Sequence, residues 1–336
     1  MKIRAFICGC AGVGLTPDET NFFNEFNPWG LILFKRNCES VEQLKSLTAS
    51  FRDAVGRADA PVFVDQEGGR VQRLSPPVWR KYPEARKFGD LYKINPAFAL
   101  RAARNVGRLM AEELYIAGFT AACLPVLDLP QPGAHDVIGN RAYDTTPERI
   151  LVLARAHLVG LTEGGILPVM KHVPGHGRTV VDSHHDLPQV TASRMDLENS
   201  DFVPFTGLAD CPMAMTAHVV YQALDREQPA TLSRKIIRQV IRKVINFNGL
   251  LMTDDLSMKA LRGSIRDNAH LAYEAGVDML LHCNGVMDEM RQVGEAALEL
   301  SPKTARRAKA ALKMRRKPQP FDERLALADL AAVMGG

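Results

Sequence analysis

Leu167-Pro168-Val169-Met170-Lys171-His172-Val173-Pro174-Gly175-His176-Gly177 is the stretch on which the fold turns. Four apolar residues come first, with no polar alternation, as in a strand covered on both faces. Lys171 and His172 end that run, and Pro174, Gly175 and Gly177 then break any regular structure. Outward in both directions the same signature recurs, at Arg4–Cys10, Gly30–Phe34, Pro61–Asp65, Thr120–Leu127, Met213–His218, Gly249–Thr253 and Asp278–His282. Between these runs lie longer amphipathic ones. Val41–Val55 places Val41, Leu44, Leu47, Phe51 and Val55 at helical spacing. Pro147–Glu163 does the same with Ile150, Leu151, Leu153, Ala154, His157, Leu158 and Leu161, and Pro147 suits a first helical turn. Arg234–Phe247 and Asp267–Ala275 continue the series. Repeated strand-helix units predict a parallel sheet. Eight of them predict an α/β fold, a single-domain (β/α)8 TIM-type barrel. An open doubly wound sheet is the alternative, because strand order is not written in the sequence. No GxGxxG loop follows the first run, which argues against a dinucleotide site. The barrel is expected over residues 1–300, with residues 301–336 as a helical extension packed on it.

Composition narrows the class. Of 336 residues, 46% are hydrophobic and 24% charged, the balance of a globular protein that can bury a large core. Lys and Arg number 42 against 38 Asp and Glu, and the excess gathers at Arg306, Arg307, Lys309, Lys313, Arg315, Arg316 and Lys317. That cluster reads as the solvated face of a terminal helix rather than a nucleic-acid or lipid site. The six cysteines form no CxxC pair, so a reducing compartment is expected. Lys2 and Arg4 ahead of Ala5–Leu15 resemble a short signal peptide. Three glycines and the absence of a small-x-small cleavage site favour a first strand instead. No run reaches the ~18 apolar residues of a membrane span. The expectation is a cytoplasmic monomer acting on a small-molecule substrate, with neither nucleic acid nor membrane as partner.

Chemistry gathers where the strands end. Asp65, Asp128, Lys171, His172, His218, Asp254, Asp255, His282 and Asn284 all follow apolar runs, and in a barrel those ends open onto one face. Four of nine histidines fall between His172 and His185, in a loop that also holds Asp182 and His184. An Asp-x-His pair lets a carboxylate fix one imidazole nitrogen and leaves the other for proton transfer. His172 and His176 with His184 or His185 form the alternative of a metal site, although neither HExxH nor a Cys/His zinc spacing occurs. At Thr253-Asp254-Asp255 the alternation of a strand sends one aspartate to the site and leaves the other to cap the next helix. In Asp65-Gln66-Glu67-Gly68-Gly69-Arg70-Val71-Gln72-Arg73 the paired glycines permit a tight turn. Its charged residues would bind sugar hydroxyls, or Glu67 and Arg70 would form an internal salt-bridge network.

On these residues the chain resembles glycoside hydrolase family 3, in particular its single-domain bacterial β-N-acetylhexosaminidases of peptidoglycan recycling. The blocks that carry the resemblance are Ile32–Asn37, Asp65–Arg73, Ile138–Arg141, Lys171–Gly177 with Asp182-Ser183-His184, Ala217–Val219 and Thr253–Met258. Val173 stands where phenylalanine is more usual. The resemblance implies Asp254 as nucleophile and His184 as acid/base tuned by Asp182, with no metal or organic cofactor. It implies that Asp65, Arg73, Arg141, Lys171 and His172 bind the N-acetylglucosamine ring. The implied reaction is retaining exo-cleavage of N-acetylglucosaminyl-1,6-anhydro-N-acetylmuramic acid, with or without peptide. A phosphorylase on the same fold is a close rival, since a neutral histidine repels incoming phosphate less than a carboxylate would. More distant rivals are a metal-assisted hydrolase and a non-catalytic sugar-binding protein.

Overall fold

The computed structural model describes residues 2–179 and 187–335. Eight parallel strands close into a barrel: β1 (Arg4–Cys8), β2 (Pro28–Leu33), β3 (Val62–Val64), β4 (Ala121–Ala122), β5 (Leu167–Val173), β6 (Met213–Thr216), β7 (Leu250–Asp255) and β8 (Met279–His282). Each pairs with its neighbours in sequence, and β8 returns to β1 through Phe6 opposite Leu280. The predicted closed barrel is therefore the fold, and the open sheet is not.

Alternate strand residues serve two cores. Ala5 and Ile7 on β1, Val169 on β5 and Met252 on β7 point into the barrel, together with Trp29, Phe63 and Met215. Phe6, Leu31, Met170 and Leu251 point outward under the helices. Both faces are buried, which is why the runs read as continuous rather than alternating. The helices outside include α1 (Pro17–Phe26), α2 (Val41–Ala54), α3 (Ala85–Ile94), α4 (Pro96–Ile116), α5 (Pro147–Glu163), α6 (Ile265–Ala275), α7 (Met287–Ala296), α8 (Pro302–Lys313) and α9 (Glu323–Gly335). The predicted Arg234–Phe247 helix is present as a turn, Arg234–Ile236, that widens into a π-helix over Ile237–Val244. N-caps start several helices where the sequence offers them; Ser40 accepts from the Gln43 amide and Ser264 from the Asp267 amide.

Two expectations change. The fourth run, Thr120–Leu127, is regular only at Ala121–Ala122, because Pro125 has no N–H to donate. Pairing to β5 goes on irregularly, the Leu124 and Pro125 carbonyls accepting from the Val169 and Lys171 amides and Leu127 donating to the Lys171 carbonyl at 2.8 Å. The basic cluster is not all solvated face. Arg307 donates to both Asp278 oxygens at 2.9 and 3.1 Å, and Arg315 to the Gly165 and Phe119 carbonyls. These two anchor α8, which slides Ala308 and Ala311 under the barrel interior. No helix among the described residues is long and apolar enough to cross a membrane.

Candidate active site

At the carboxyl ends of the strands a cleft opens, with a cavity volume of about 170 Å³. Asp65, Arg73, Arg141, Lys171, His172 and Asp254 all line it. Six of the eight residues singled out from the sequence thus meet in one place. The other two, Asp182 and His184, lie outside the described residues. His176 and Asp255 also reach the cleft, under a rim of Phe34, Val71, Val137 and Ile138.

Asp65 follows β3 directly and accepts from Lys171 Nζ at 2.8 Å and Arg73 Nη2 at 3.0 Å. Arg73 is brought there by a hairpin, Gln66–Gly68 against Val71–Gln72. The turn needs glycine: Gly68 has φ 95°, and a Cβ there would meet the Pro83 carbonyl oxygen at 2.2 Å. Glu67 on the same hairpin accepts from Lys171 Nζ at 2.6 Å. Arg141 closes the network by donating to both Glu67 oxygens at 2.8 and 2.9 Å. It comes from the 3-10 turn Gly139–Arg141.

Three cations therefore face two carboxylates, with Lys171 and Glu67 buried and Asp65 and Arg73 partly open to the cleft. Burial alone would raise both carboxyls, but the cations outweigh it. Lys171 and Arg73 hold Asp65 well below the usual carboxylate range, and Arg141 with Lys171 brings Glu67 to about 2. Burial would likewise strip the proton from Lys171; Asp65 and Glu67 reverse that and raise it instead. The internal salt-bridge network predicted for the hairpin exists, with one partner different. Arg70 points away from Glu67 and pairs on the surface with Asp136 at 3.2 Å.

Asp254 stands apart from this network. Burial pushes its carboxyl up, yet His172 and His218, with the Asp255 amide and Lys171, leave it lowered, so it is ionised at neutral pH. Its one hydrogen bond among the described residues is Oδ1 accepting from the Asp255 amide at 2.8 Å. No side-chain cation within the described residues pairs with it directly. Asp255 has the opposite fate. Its oxygens accept from the Ser257 amide (3.1 Å), the Ser257 hydroxyl (2.7 Å) and the Cys283 amide (3.2 Å). Asp255 thus closes the turn after β7 rather than capping the next helix, which is capped by Ser264.

A second layer supports the first. His218 is fully buried; its Nε2 donates to the Asp255 carbonyl at 3.0 Å and its Nδ1 accepts from the Thr231 hydroxyl at 2.7 Å. Asp128 is also fully buried, behind His172 and His176, and accepts from His172 Nδ1 at 2.7 Å. His176 is ordered within the loop through Thr179, Oγ1 to Nδ1 at 3.0 Å, and burial lowers it to about 4, so its ring is neutral. His282 and Asn284 do not join the cleft; His282 is enclosed and Asn284 donates to Glu289 at 2.6 Å. Among the described residues no three His, Cys, Asp or Glu side chains converge as a metal-ligand set. His185, the remaining candidate ligand, lies outside them.

The Ile32–Asn37 block acts on the scaffold. Asn37 is buried and donates to the Cys10 and Gly12 carbonyls at 3.1 and 2.7 Å, tying the loop after β1 to the end of β2. Phe34 at the rim carries Arg36 and Arg73 over its ring, at 5.1 and 5.2 Å from the centroid.

Comparison with known proteins gives the family. Residues 18–314 match the glycosyl hydrolase family 3 N terminal domain. A β-hexosaminidase of Alkalilimnicola ehrlichii is 40% identical over 288 residues, 84% of this chain and 82% of its own. A β-hexosaminidase of Neisseria meningitidis is 39% identical over 289 residues, 84% of this chain and 79% of its own. The crystal structure of NagZ from Neisseria gonorrhoeae in complex with N-trifluoroacetyl-D-glucosamine superposes with a TM-score of 0.90 at 32% identity, covering 99% of this chain and 98% of that one.

Proposed function

The chain belongs to glycosyl hydrolase family 3 and is a glycoside hydrolase, and from that premise we propose that it is a retaining exo-β-N-acetylglucosaminidase. The observation that carries the proposal is the contrast among the carboxylates at the cleft. Asp65 and Asp255 have their oxygens taken, whereas Asp254 is ionised with an oxygen to spare. A nucleophile needs that freedom. The printed names of the relatives supply the substrate side: they are β-hexosaminidases, and the Neisseria gonorrhoeae structure holds an N-acylglucosamine analogue.

In this reading Asp65, Arg73, Arg141, Lys171 and His172 hold the terminal N-acetylglucosamine by its hydroxyls. Asp65 pairs with Arg73 and Lys171, Arg141 with Glu67, and His172 bonds Asp128; these contacts fix them before substrate arrives, so little ordering is left for the binding step. Asp254 attacks C1 through an oxocarbenium-like transition state. His184, oriented by Asp182, protonates the leaving oxygen, and a glycosyl-aspartate forms. Neutral His184 then takes a proton from water, which attacks C1 and frees Asp254 with retained configuration. The natural substrate is N-acetylglucosaminyl-1,6-anhydro-N-acetylmuramic acid or its peptide forms, cleaved in the cytoplasm by a monomer that needs no metal or organic cofactor.

Hydrolysis of 4-nitrophenyl β-N-acetylglucosaminide followed by proton NMR tests the proposal. Early accumulation of the β-anomer of free N-acetylglucosamine, unchanged by added phosphate, is expected. Early α-anomer would overturn the retaining mechanism, and a sugar 1-phosphate would make the enzyme a phosphorylase.

A further inference from the structure

Asp128 is the least expected charge in the molecule. It is wholly buried, and among the described residues no lysine or arginine pairs with it directly and every group it binds belongs to the segment Lys171–Gly177. Oδ1 accepts from the His172 amide at 3.2 Å and the His176 amide at 2.7 Å, while Oδ2 accepts from His172 Nδ1 at 2.7 Å. Burying a carboxylate costs several kcal/mol even after relaxation. Two backbone amides do not require one, because the oxygen of an asparagine would accept from both equally well. The demand for charge, and for a group that can only accept, comes from the third contact.

A carboxylate opposite Nδ1 obliges that nitrogen to carry a proton. His172 lines the cleft, and with Nδ1 committed, Nε2 is the ring position left for it. We infer that Asp128 is a positioning residue that fixes His172 as the Nδ1–H tautomer, so that Nε2 accepts a hydrogen bond from a hydroxyl of the bound sugar beside Asp254. The contact to a sugar hydroxyl rests on the function proposed above; the tautomer does not. An asparagine at 128 would keep both amide bonds but turn its NH₂ toward Nδ1. The ring would then present Nε2–H, a donor in place of an acceptor. Among the described residues the charged and titratable groups around the ring include Asp128, Asp254, His218 and His176, the last with its ring centroid 5.8 Å away. The same carboxylate also pins the amide of His176. The ring that meets the sugar and the root of the loop that follows therefore hang on one side chain.

The test uses the whole protein with ring-¹⁵N histidine, the His172 signals being identified by their loss in His172→Gln. Wild type should show a protonated Nδ1 and an unprotonated or exchanging Nε2, and Asp128→Asn the reverse. On 4-nitrophenyl β-N-acetylglucosaminide, Asp128→Asn should lose about 10²-fold in kcat/KM, the scale for losing the partner that orients a binding histidine, and less than the ~10⁴-fold of tautomer reversal at a general base. In a His172→Gln background the same substitution should change the rate less than about 3-fold, because its effect passes through the ring. An unprotonated Nδ1 in wild type at neutral pH would overturn the inference, even where Asp128→Asn does not fold. So would an unchanged tautomer in Asp128→Asn, or a loss that persists in full without His172. Absence of any glycosidase activity in wild type would instead sink the proposed function, leaving the tautomer to be decided by NMR alone.

Discussion

The two mouths of the barrel are built from opposite materials. The amino-terminal mouth is plugged by α8, whose Ala308 and Ala311 lie against the apolar interior, and its charge is concentrated at Asp278 between Arg242 and Arg307. The carboxyl-terminal mouth holds Asp65, Glu67, Lys171, Arg73, Arg141 and Asp254 around an open cleft. One end has both Asp278 oxygens paired with arginines. The other keeps Asp254 without a side-chain partner among the described residues and leaves space beside it. The first is an arrangement for stability and the second for chemistry, so substitutions at the two ends should separate folding from rate.

The largest effect belongs to the open mouth. Asp254→Ala should lower kcat by at least ~10³-fold, because it deletes the nucleophile. Thermal melting should change little, since the lost carboxylate anchors no other side chain among the described residues. At the closed mouth Asp278→Ala leaves two half-buried arginines facing each other, and should cost about 3–5 kcal/mol in urea unfolding. Its kcat/KM per folded molecule should stay within about 2-fold of wild type. If that substitution cuts the rate as deeply as Asp254→Ala, the division between the mouths fails.

Glu67→Gln lies between these extremes, because it frees Lys171 and Arg141 from their shared anchor. A loss of roughly 10–100-fold in kcat/KM is expected, carried mostly by KM, since the reacting atoms are untouched. The same variant has a signature in pH. The folded-state pKa of Glu67 is depressed from 4.5 to about 2, so the stability it contributes is complete above about 4.5 and is lost as pH falls toward 2. Wild-type stability should therefore fall more steeply across that window than that of Glu67→Gln, in unfolding curves measured from pH 5 to pH 2. The smallest effect is Arg70→Ala. Its ion pair with Asp136 is exposed, and less than ~0.5 kcal/mol of stability is expected to go with it.

How much of this could be read from the residues differs by level. Leu167–Val173 and Met279–His282 were legible as strands because helices and core cover both faces, which writes an uninterrupted apolar run. Ala121–Ala122 was legible only as part of a longer run, since Pro125 interrupts the ladder without interrupting hydrophobicity. The convergence of Asp65, Lys171, His172 and Asp254 followed from barrel geometry alone. The partners did not. Nothing in Asp65–Arg73 says that Glu67 takes Arg141, 74 residues away, in preference to Arg70 three residues on. Nor does the apolar run before Asp128 say that its carboxylate turns back to the His172 ring. Such choices are made by packing between distant segments. The available signal was an acidic residue directly after an apolar strand, which marks Asp128 as a site element without saying what it binds.

Trapping the glycosyl-enzyme tests the central claim most directly. Wild type would be incubated with a fluorinated β-N-acetylglucosaminyl donor that slows hydrolysis of the intermediate, and the adduct located by peptide mass spectrometry. The expected result is a mass gain of one glycosyl unit on Asp254, with none in Asp254→Asn. A label on another residue, or continued turnover of the donor by Asp254→Asn, would contradict it.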